Sequence, residues 1–258
     1  MQLKTVTWNI GGGKHLKEGD DPLLMASYSV DAISEIADWL KAVDPDIITL
    51  QEAQGNSQSN QVKEIAELLG FGYYFFDTTS QSHIDNNMLL GNGLISKHPI
   101  SNHDAGVFLN PNIEAELQGR HIQSHDKGYG VCSVNFHDDR PVIQVMTLHL
   151  LPFRAFGIDI ESETGKGILS SVSRSFPATA QRLLIQGDFN IDSQSVKDKL
   201  PELSISELEE VLLEMPTTPS GKRYDHVLFK GLKLLEKNVD SSVKTDHYPV
   251  SCIFQIFE

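Results

Sequence analysis

The chain has no hydrophobic run approaching the roughly 20 apolar residues that a membrane-spanning helix needs. It has only two cysteines, Cys132 and Cys252, in 258 residues. Each lies in an apolar, strand-like segment, so both read as buried, reduced thiols rather than a disulfide or a nucleophile. The first nine residues already read as a strand, with Val6 and Trp8 on one face. That leaves no room for the charged and apolar regions of a signal peptide. Together these features predict a reducing, cytoplasmic setting.

Positive charge is also scarce. Lys and Arg number 21 against 35 Asp and Glu, for a net charge of −14. The basic residues are scattered, and residues 202–214 form an acidic stretch with no positive residue. A protein that grips long duplexes by neutralising phosphates shows a basic stripe. Its absence argues against tight, non-specific binding to long nucleic acid. No internal repeat and no low-complexity segment divides the chain.

What is present is a globular pattern, 40% hydrophobic, in which strands outnumber helices. The class is α/β (α+β). Val30, Ile33, Ile36, Ala37 and Leu40 keep one face of a helix that Asp44-Pro45-Asp46 ends. Residues 47–50 follow as a short apolar strand, with Glu52 at its carboxyl end. A second helix over residues 61–69 stops at Gly70. Residues 73–76, 93–96, 131–136, 142–148, 183–186, 227–229 and 250–257 read as strands. A helix falls within residues 160–180, and Ser206 with Glu209 forms a capping box that opens another. Residues 110–130 are polar, His-rich and without period, which predicts a long functional loop, mobile when no ligand is bound.

The informative residues fall at strand ends. Gly187-Asp188-Phe189-Asn190 closes one apolar run, and Thr245-Asp246-His247-Tyr248-Pro249-Val250 opens another. Asn9, in Thr7-Trp8-Asn9-Ile10, and Glu52, in Leu50-Gln51-Glu52, complete the set. It offers oxygen ligands for a hard divalent cation and an imidazole for proton transfer. Hydrolysis of a phosphodiester needs charge neutralised on the phosphoryl oxygens, water activated and the leaving oxygen protonated. Glu52 can ligate the metal. Asn9 offers a carbonyl to the metal or an amide to Glu52 or the phosphate. Asp188 can take a proton from water, with Asn190 orienting water or phosphate. His247 can act as proton donor if a carboxylate holds its other nitrogen. Asp225, in Arg223-Tyr224-Asp225-His226-Val227, is the favoured partner, with His226 as its rival. Asp246 is then free to help hold the metal. Asn9 and His247 must meet for this chemistry, so residues 1–258 read as one domain.

The ordered motifs Trp-Asn-Ile, Gln-Glu, Thr-Leu-His-Leu, Gly-Asp-Phe-Asn, Tyr-Asp-His-Val-Leu and Thr-Asp-His-Tyr-Pro-Val resemble the endonuclease/exonuclease/phosphatase superfamily. The resemblance runs over nearly the whole chain. It implies the deoxyribonuclease I-like fold, a four-layer α/β/β/α sandwich of two packed sheets flanked by helices. It also implies hydrolysis with Mg2+ or Mn2+. By resemblance, Asn9 and Glu52 are metal-site residues, Asp188 and Asn190 the water-activating pair, and Asp225 with His247 the Asp–His couple. His149 resembles the histidine that contacts the scissile phosphate. Gln51-Glu52-Ala53-Gln54 differs from the Gln-Glu-Thr-Lys of apurinic endonucleases, which brings the chain nearer the sphingomyelinase, deadenylase and tyrosyl-DNA phosphodiesterase side.

Weaker signals read more plainly. Gly11-Gly12-Gly13-Lys14 lacks the spacer and the hydroxyl residue of a phosphate-binding loop and reads as a turn at the rim. His83, His98, His103, His121, His125 and His137 have no zinc spacing and read as mostly solvated. Arg120, Lys127 and Arg154 read as ordinary surface charges. The resulting expectation is a phosphodiesterase for nucleic acid ends or short strands. A hydrolase for small phosphoesters or lipid head groups is the rival. A silent binding module fits poorly with so complete a residue set.

Overall fold

The structure is a computed structural model and describes residues 1–136, 142–200 and 207–257. The first half of the chain runs through β1 (Gln2–Asn9), the small hairpin β2 (Lys14–Leu16) and β3 (Tyr28–Asp31), α1 (Ile33–Val43), β4 (Ile47–Gly55), α2 (Gln61–Leu69), β5 (Tyr73–Gln81) and β6 (Leu89–Ser96). The second half has β7 (Ile100–Val107), β8 (Glu114–Leu117), β9 (Arg120–Gln123), β10 (Gly128–Val134), β11 (Ile143–His149), α3 (Glu163–Ser175), β12 (Leu183–Asp188), β13 (Glu209–Glu210) and β14 (Asp225–Lys230). The chain then returns to the first half through β15 (Leu232–Val239) and β16 (Val250–Ile256).

Two six-stranded sheets result, in the orders β15-β16-β1-β4-β6-β5 and β13-β14-β12-β11-β10-β7. Each has one parallel pair at its centre, β1 with β4 and β11 with β12, and is otherwise antiparallel. Parallel neighbours need a long crossover, and here each crossover carries a helix, α1 in one half and α3 in the other.

The layers follow from side-chain alternation along the central strands. Val6, Trp8, Ile48 and Leu50 face outward and pack against Ile36 and Leu40 of α1 and Val62 and Ile65 of α2. Met146, Leu148, Leu183 and Ile185 do the same against Ile168, Leu169 and Val172 of α3. Leu3, Ile47, Val145, Leu184, Cys252 and Phe254 fill the space between the sheets. Each such aliphatic side chain contributes about 1.5–3 kcal/mol on full burial. The order is therefore helices, sheet, sheet, helix: the α/β/β/α sandwich.

The inward face changes character along each central strand. It reads Leu3-Thr5-Thr7-Asn9 on β1 and Ile47-Thr49-Gln51 on β4, then Val145-Thr147-His149 on β11 and Leu184-Gln186-Asp188 on β12. Most buried polar groups of the middle tier find partners, several across the sheets, although Thr5 Oγ1 and Gln186 Oε1 have none among the described residues. Gln51 donates to Thr147 Oγ1 at 3.0 Å, and Gln186 donates to Thr49 Oγ1 and to the Val6 carbonyl, both at 3.0 Å. The gap between the sheets is thus apolar at one end, hydrogen-bonded in the middle and chemically equipped at the other.

Several local expectations need correction. Val30 belongs to β3, not to the helix, and is 45% exposed. Glu209 starts the two-residue strand β13, where a helix was expected, while its proposed cap Ser206 lies outside the described residues. So do His137 and part of the acidic stretch 202–214. The segment 110–130 contains a β-hairpin, β8–β9, closed by Gln118-Gly119 with both φ angles positive.

Candidate active site

Asn9, His149 and Asp188 are the last residues of β1, β11 and β12, so all three reach the same edge of the sandwich. β14 and β16 run antiparallel to their neighbours, so their beginnings reach that edge, bringing Asp225 and the Asp246-His247 turn. Glu52 is delivered differently. β4 carries a bulge between Leu50 and Ala53, and Glu52 sits on it with φ 53°. Left-handed backbone is uncommon outside glycine and concentrates at functional sites.

The side chains form a connected set. Asn9 Nδ2 donates to Asp188 Oδ2 at 3.0 Å, while Asn9 Oδ1 accepts from the Gly11 N–H at 3.1 Å. His247 Nδ1 lies 2.8 Å from Asp225 Oδ2, and its Nε2 lies 3.7 Å from Asp188 Oδ2. Trp8 steadies this turn, its indole N–H meeting Thr245 Oγ1 and the His247 carbonyl at 3.1 Å each. Asn190 donates its backbone N–H to Asp188 Oδ1 at 2.8 Å, and its side-chain amide to the Leu150 carbonyl at 2.9 Å. His226, the rival partner for His247, turns away to Glu210, 2.9 Å from its Nδ1.

Lys127 was expected on the surface and is not there. It is 5% exposed, with Nζ 3.4 Å from Glu52 Oε1 and 3.2 Å from His149 Nδ1. Sequence gave little sign of this, because Lys127 precedes β10 in a polar stretch and only tertiary packing turns it inward. Lysine has three donors and no acceptor, so His149 Nδ1 must accept and its proton sits on Nε2. That Nε2 lies 3.4 Å from Asp188 Oδ2 and 3.7 Å from Glu52 Oε1.

Burial and neighbouring charge set the protonation states. Burial pushes the Asp188 carboxyl up to about 7, with His247 opposing and Asp225 adding to the rise. Burial works against the His247 cation, but Asp225 and Asp188 hold its pKa well above the ordinary histidine value. Burial would raise Glu52, yet Lys127, His83, His149 and His247 pull it below the usual carboxylate range. Burial, then Lys127, drives His149 well below its ordinary value and keeps it neutral. Asp188 thus titrates near neutrality beside a His247 that stays charged.

Glu52 and Asp246 fit a hard divalent cation. Asp246 Oδ1 is buried without a hydrogen-bond partner, and burial pushes its carboxyl up to about 6, with His247 opposing. An orphaned buried carboxylate oxygen near a second carboxylate is what an oxygen-ligated cation satisfies. A Cβ on Gly11, whose φ is +51°, would meet that Oδ1 at 2.7 Å, so this turn needs glycine. Asp188, Asp225 and His247 also offer ligand atoms within 4.8 Å of one another, and within that group His247 Nδ1 is already paired with Asp225 Oδ2. Among the described residues no other group of His, Cys, Asp or Glu converges this way. His83 and His125 line the cavity above the site, while His103 pairs with Asp77 and His121 lies near Glu114 and Glu116. Arg154 lines the cavity, and Arg120 is exposed on β9.

Asn9, Glu52, His149, Asp188, Asp246 and His247 floor a cavity of about 1070 Å3, with Asp225 buried behind His247. Two packed sheets thus bring acids, amides and histidines together at one edge. The endonuclease/exonuclease/phosphatase family matches residues 6–247, and the chain belongs to it. Members of this family are generally hydrolytic phosphoesterases. No curated protein matches the chain. Among solved structures it is similar to an endonuclease/exonuclease/phosphatase from Beutenbergia cavernae, with TM-score 0.74 and 18% identity over 99% of this chain and 72% of that one. It is also similar to the human Nocturnin catalytic domain with bound sulfate, at TM-score 0.67 and 15% identity, covering 99% and 95%. A third is ANGEL2, a 2′,3′-cyclic phosphatase in complex with adenosine-2′,3′-vanadate, at TM-score 0.63 and 17% identity, covering 98% and 95%. No helix among the described residues is long and apolar enough to cross a membrane.

Proposed function

We propose that this protein is a Mg2+- or Mn2+-dependent phosphodiesterase acting on nucleic acid ends or short strands, with residues 1–258 as one catalytic domain. The observation that carries the reading is the chain Asn9–Asp188–His247, backed by buried Asp225 and set beside Glu52 and Asp246 on one cavity floor. Asp188 takes a proton from water as the water oxygen bonds to phosphorus. His247, kept protonated by Asp225, gives its Nε2 proton to the leaving oxygen as the P–O ester bond breaks. Neutral His149 offers its Nε2–H to a phosphoryl oxygen. Glu52 and Asp246 would hold the divalent cation, which when bound would neutralise charge on the phosphoryl oxygens.

The substrate class rests on size and charge. A cavity of about 1070 Å3 suits a nucleotide-sized group rather than a duplex. ANGEL2 was solved with an adenosine vanadate, a ligand of that size carrying a phosphate mimic. The net charge of −14 disfavours long duplexes. A cytoplasmic location fits the two buried free thiols, Cys132 and Cys252. One observation favours the rival reading, lipid head groups or other small phosphoesters. Leu23, Leu24 and Met25 are 58%, 46% and 50% exposed, and Leu23 and Met25 line the cavity.

A hydrolysis panel with Mg2+ and Mn2+ separates the two. It should hold single- and double-stranded DNA, RNA, 5′-tyrosyl DNA, sphingomyelin and inositol phosphates. Nucleic acid ends as the best substrates, with affinity falling steeply as salt rises, support the proposal. Preference for sphingomyelin or inositol phosphates, without that salt dependence, overturns it.

A further inference from the structure

The catalytic strands form only the floor of the cavity. One wall is the β8–β9 hairpin, which contributes Leu117, Gln118 and Ile122. Next to it stands the strap of residues 17–27 between β2 and β3, which contributes Leu23 and Met25. A single side chain joins the two. Gln118 Nε2 donates to the Leu23 carbonyl at 3.0 Å, and Gln118 Oε1 accepts from the Met25 N–H at 3.3 Å. Both ends of one amide are engaged by the backbone of the strap.

Gln118 is an odd residue for its own turn. Its φ is 50° and that of Gly119 is 73°. A two-residue hairpin loop with both central φ angles positive favours Asn, Asp or Gly at the first position. Glutamine lacks the short side chain that makes the left-handed region tolerable. What it adds is one methylene of reach, and that reach brings the amide to the strap. The strap is itself preformed. Leu23 N–H meets Asp21 Oδ1 at 2.9 Å, Ser27 N–H meets the Leu24 carbonyl at 3.0 Å, and Tyr28 Oη donates to the Pro22 carbonyl at 2.9 Å. The latch therefore fastens two folded pieces rather than ordering a loose one.

We propose that Gln118 is a specificity-determining residue that limits this cavity to phosphoester ends and nucleotide-sized esters. With the hairpin fastened to the strap, the two walls form one continuous rim. A polymer running on both sides of the scissile phosphate must pass through the wall that Gln118 closes, while a chain end need not. This rests on the phosphodiesterase reading above and adds the determinant of end selection to it.

Gln118→Asn tests the latch without harming the turn, because asparagine suits the left-handed position but is too short to reach. Five probes are compared in Mn2+: the p-nitrophenyl ester of thymidine 5′-monophosphate, and one oligonucleotide sequence in linear and covalently closed circular form, each as DNA and as RNA. Wild type should cleave the linear form at least a hundredfold faster than the circle. Gln118→Asn should raise the circle-to-linear ratio at least tenfold, and amide exchange at Met25 should quicken at least tenfold. An unchanged ratio, a circle cut by wild type as fast as the linear strand, or unchanged Met25 exchange overturns the assignment. If the small ester is hydrolysed but the ratio stays fixed, the latch role alone fails. If none of the probes is hydrolysed, the phosphodiesterase reading fails and end selection with it.

Discussion

Asn9 donates its side-chain amide to Asp188 Oδ2 at 3.0 Å, joining the last residue of β1 in one sheet to the last residue of β12 in the other. The Asp188 carboxylate, the base of the proposed mechanism, is therefore held by both sheets. The bond favours the charged carboxylate against a burial effect that pushes its pKa up to about 7. Asn9→Ala removes that donor, so the acid limb of the rate profile should move to higher pH. Asp188→Asn should lower turnover on the order of a hundredfold or more, the usual worth of a general base. It should also raise the melting temperature at pH 8, where wild type keeps a buried charge. The sign is fixed by the raised pKa. Stability is lost progressively as pH rises from the unfolded value of about 4 to about 7, the loss is complete at pH 8, and asparagine never ionises. pH–rate profiles and melting curves of the metal-free proteins check both.

Asp225 and His247, 2.8 Å apart, should behave as one unit. Asp225→Asn removes the charge that keeps His247 protonated, so activity should fall sharply and its remnant should shift to acid pH. The double variant Asp225→Asn, His247→Ala should be little worse than His247→Ala alone, since residues acting together are strongly non-additive. A double-mutant cycle on one substrate decides this, and simple multiplication of the two losses would refute the coupling.

Lys127 stands where a cation would compete, 3.4 Å from Glu52. Glu52→Gln should weaken Mg2+ and Mn2+ binding measured by calorimetry. Lys127→Met should strengthen it, because Glu52 then lacks its internal counter-ion. The same variant should destabilise the metal-free protein, since a buried carboxylate is left unpaired. Equal affinities across the three proteins would remove Glu52 from the metal site.

Both ring nitrogens of His226 face oxygen. Nδ1 lies 2.9 Å from Glu210, and Nε2 lies 3.0 Å from the carbonyls of both Ile191 and Arg223. Burial disfavours the cation, but Glu210, the Ile191 carbonyl and Asp225 raise its pKa. Its stabilisation is complete below the unfolded value near 6.5. It is lost as pH rises through the raised folded value. His226→Gln should flatten the decline of melting temperature above about pH 6.5 and lower stability below it. Proton-coupled nitrogen spectra of wild type at pH 6 should show an N–H on each ring nitrogen of His226.

The sequence alone determined which candidate residues stand at the strand ends. Asn9, Glu52, Asp188, Asp225, Asp246 and His247 stand out because each follows or precedes an apolar run that can only be a buried strand. The inward positions spaced by two, such as Leu184-Gln186-Asp188, carry the polarity gradient toward the site in plain view. Helices α1 and α2 were legible from their periodicity and their stops. What sequence left dark is what solvent and distance decide. Edge strands β7 and β15 show no clean alternation, because most of their side chains are exposed on both faces. The β8–β9 hairpin hid behind a Gln-Gly turn whose first residue serves the strap rather than the turn. Lys127 looked like any surface lysine until the packed sheets placed it against Glu52 and His149. The choice of Asp225 over His226 turned on which of two adjacent side chains points into the cleft, and strand alternation settles that only once β14 is paired with β12. Local pattern names the groups that can react. Long-range packing decides which of them meet, because only burial in a shared, low-dielectric cavity makes their charges act on one another.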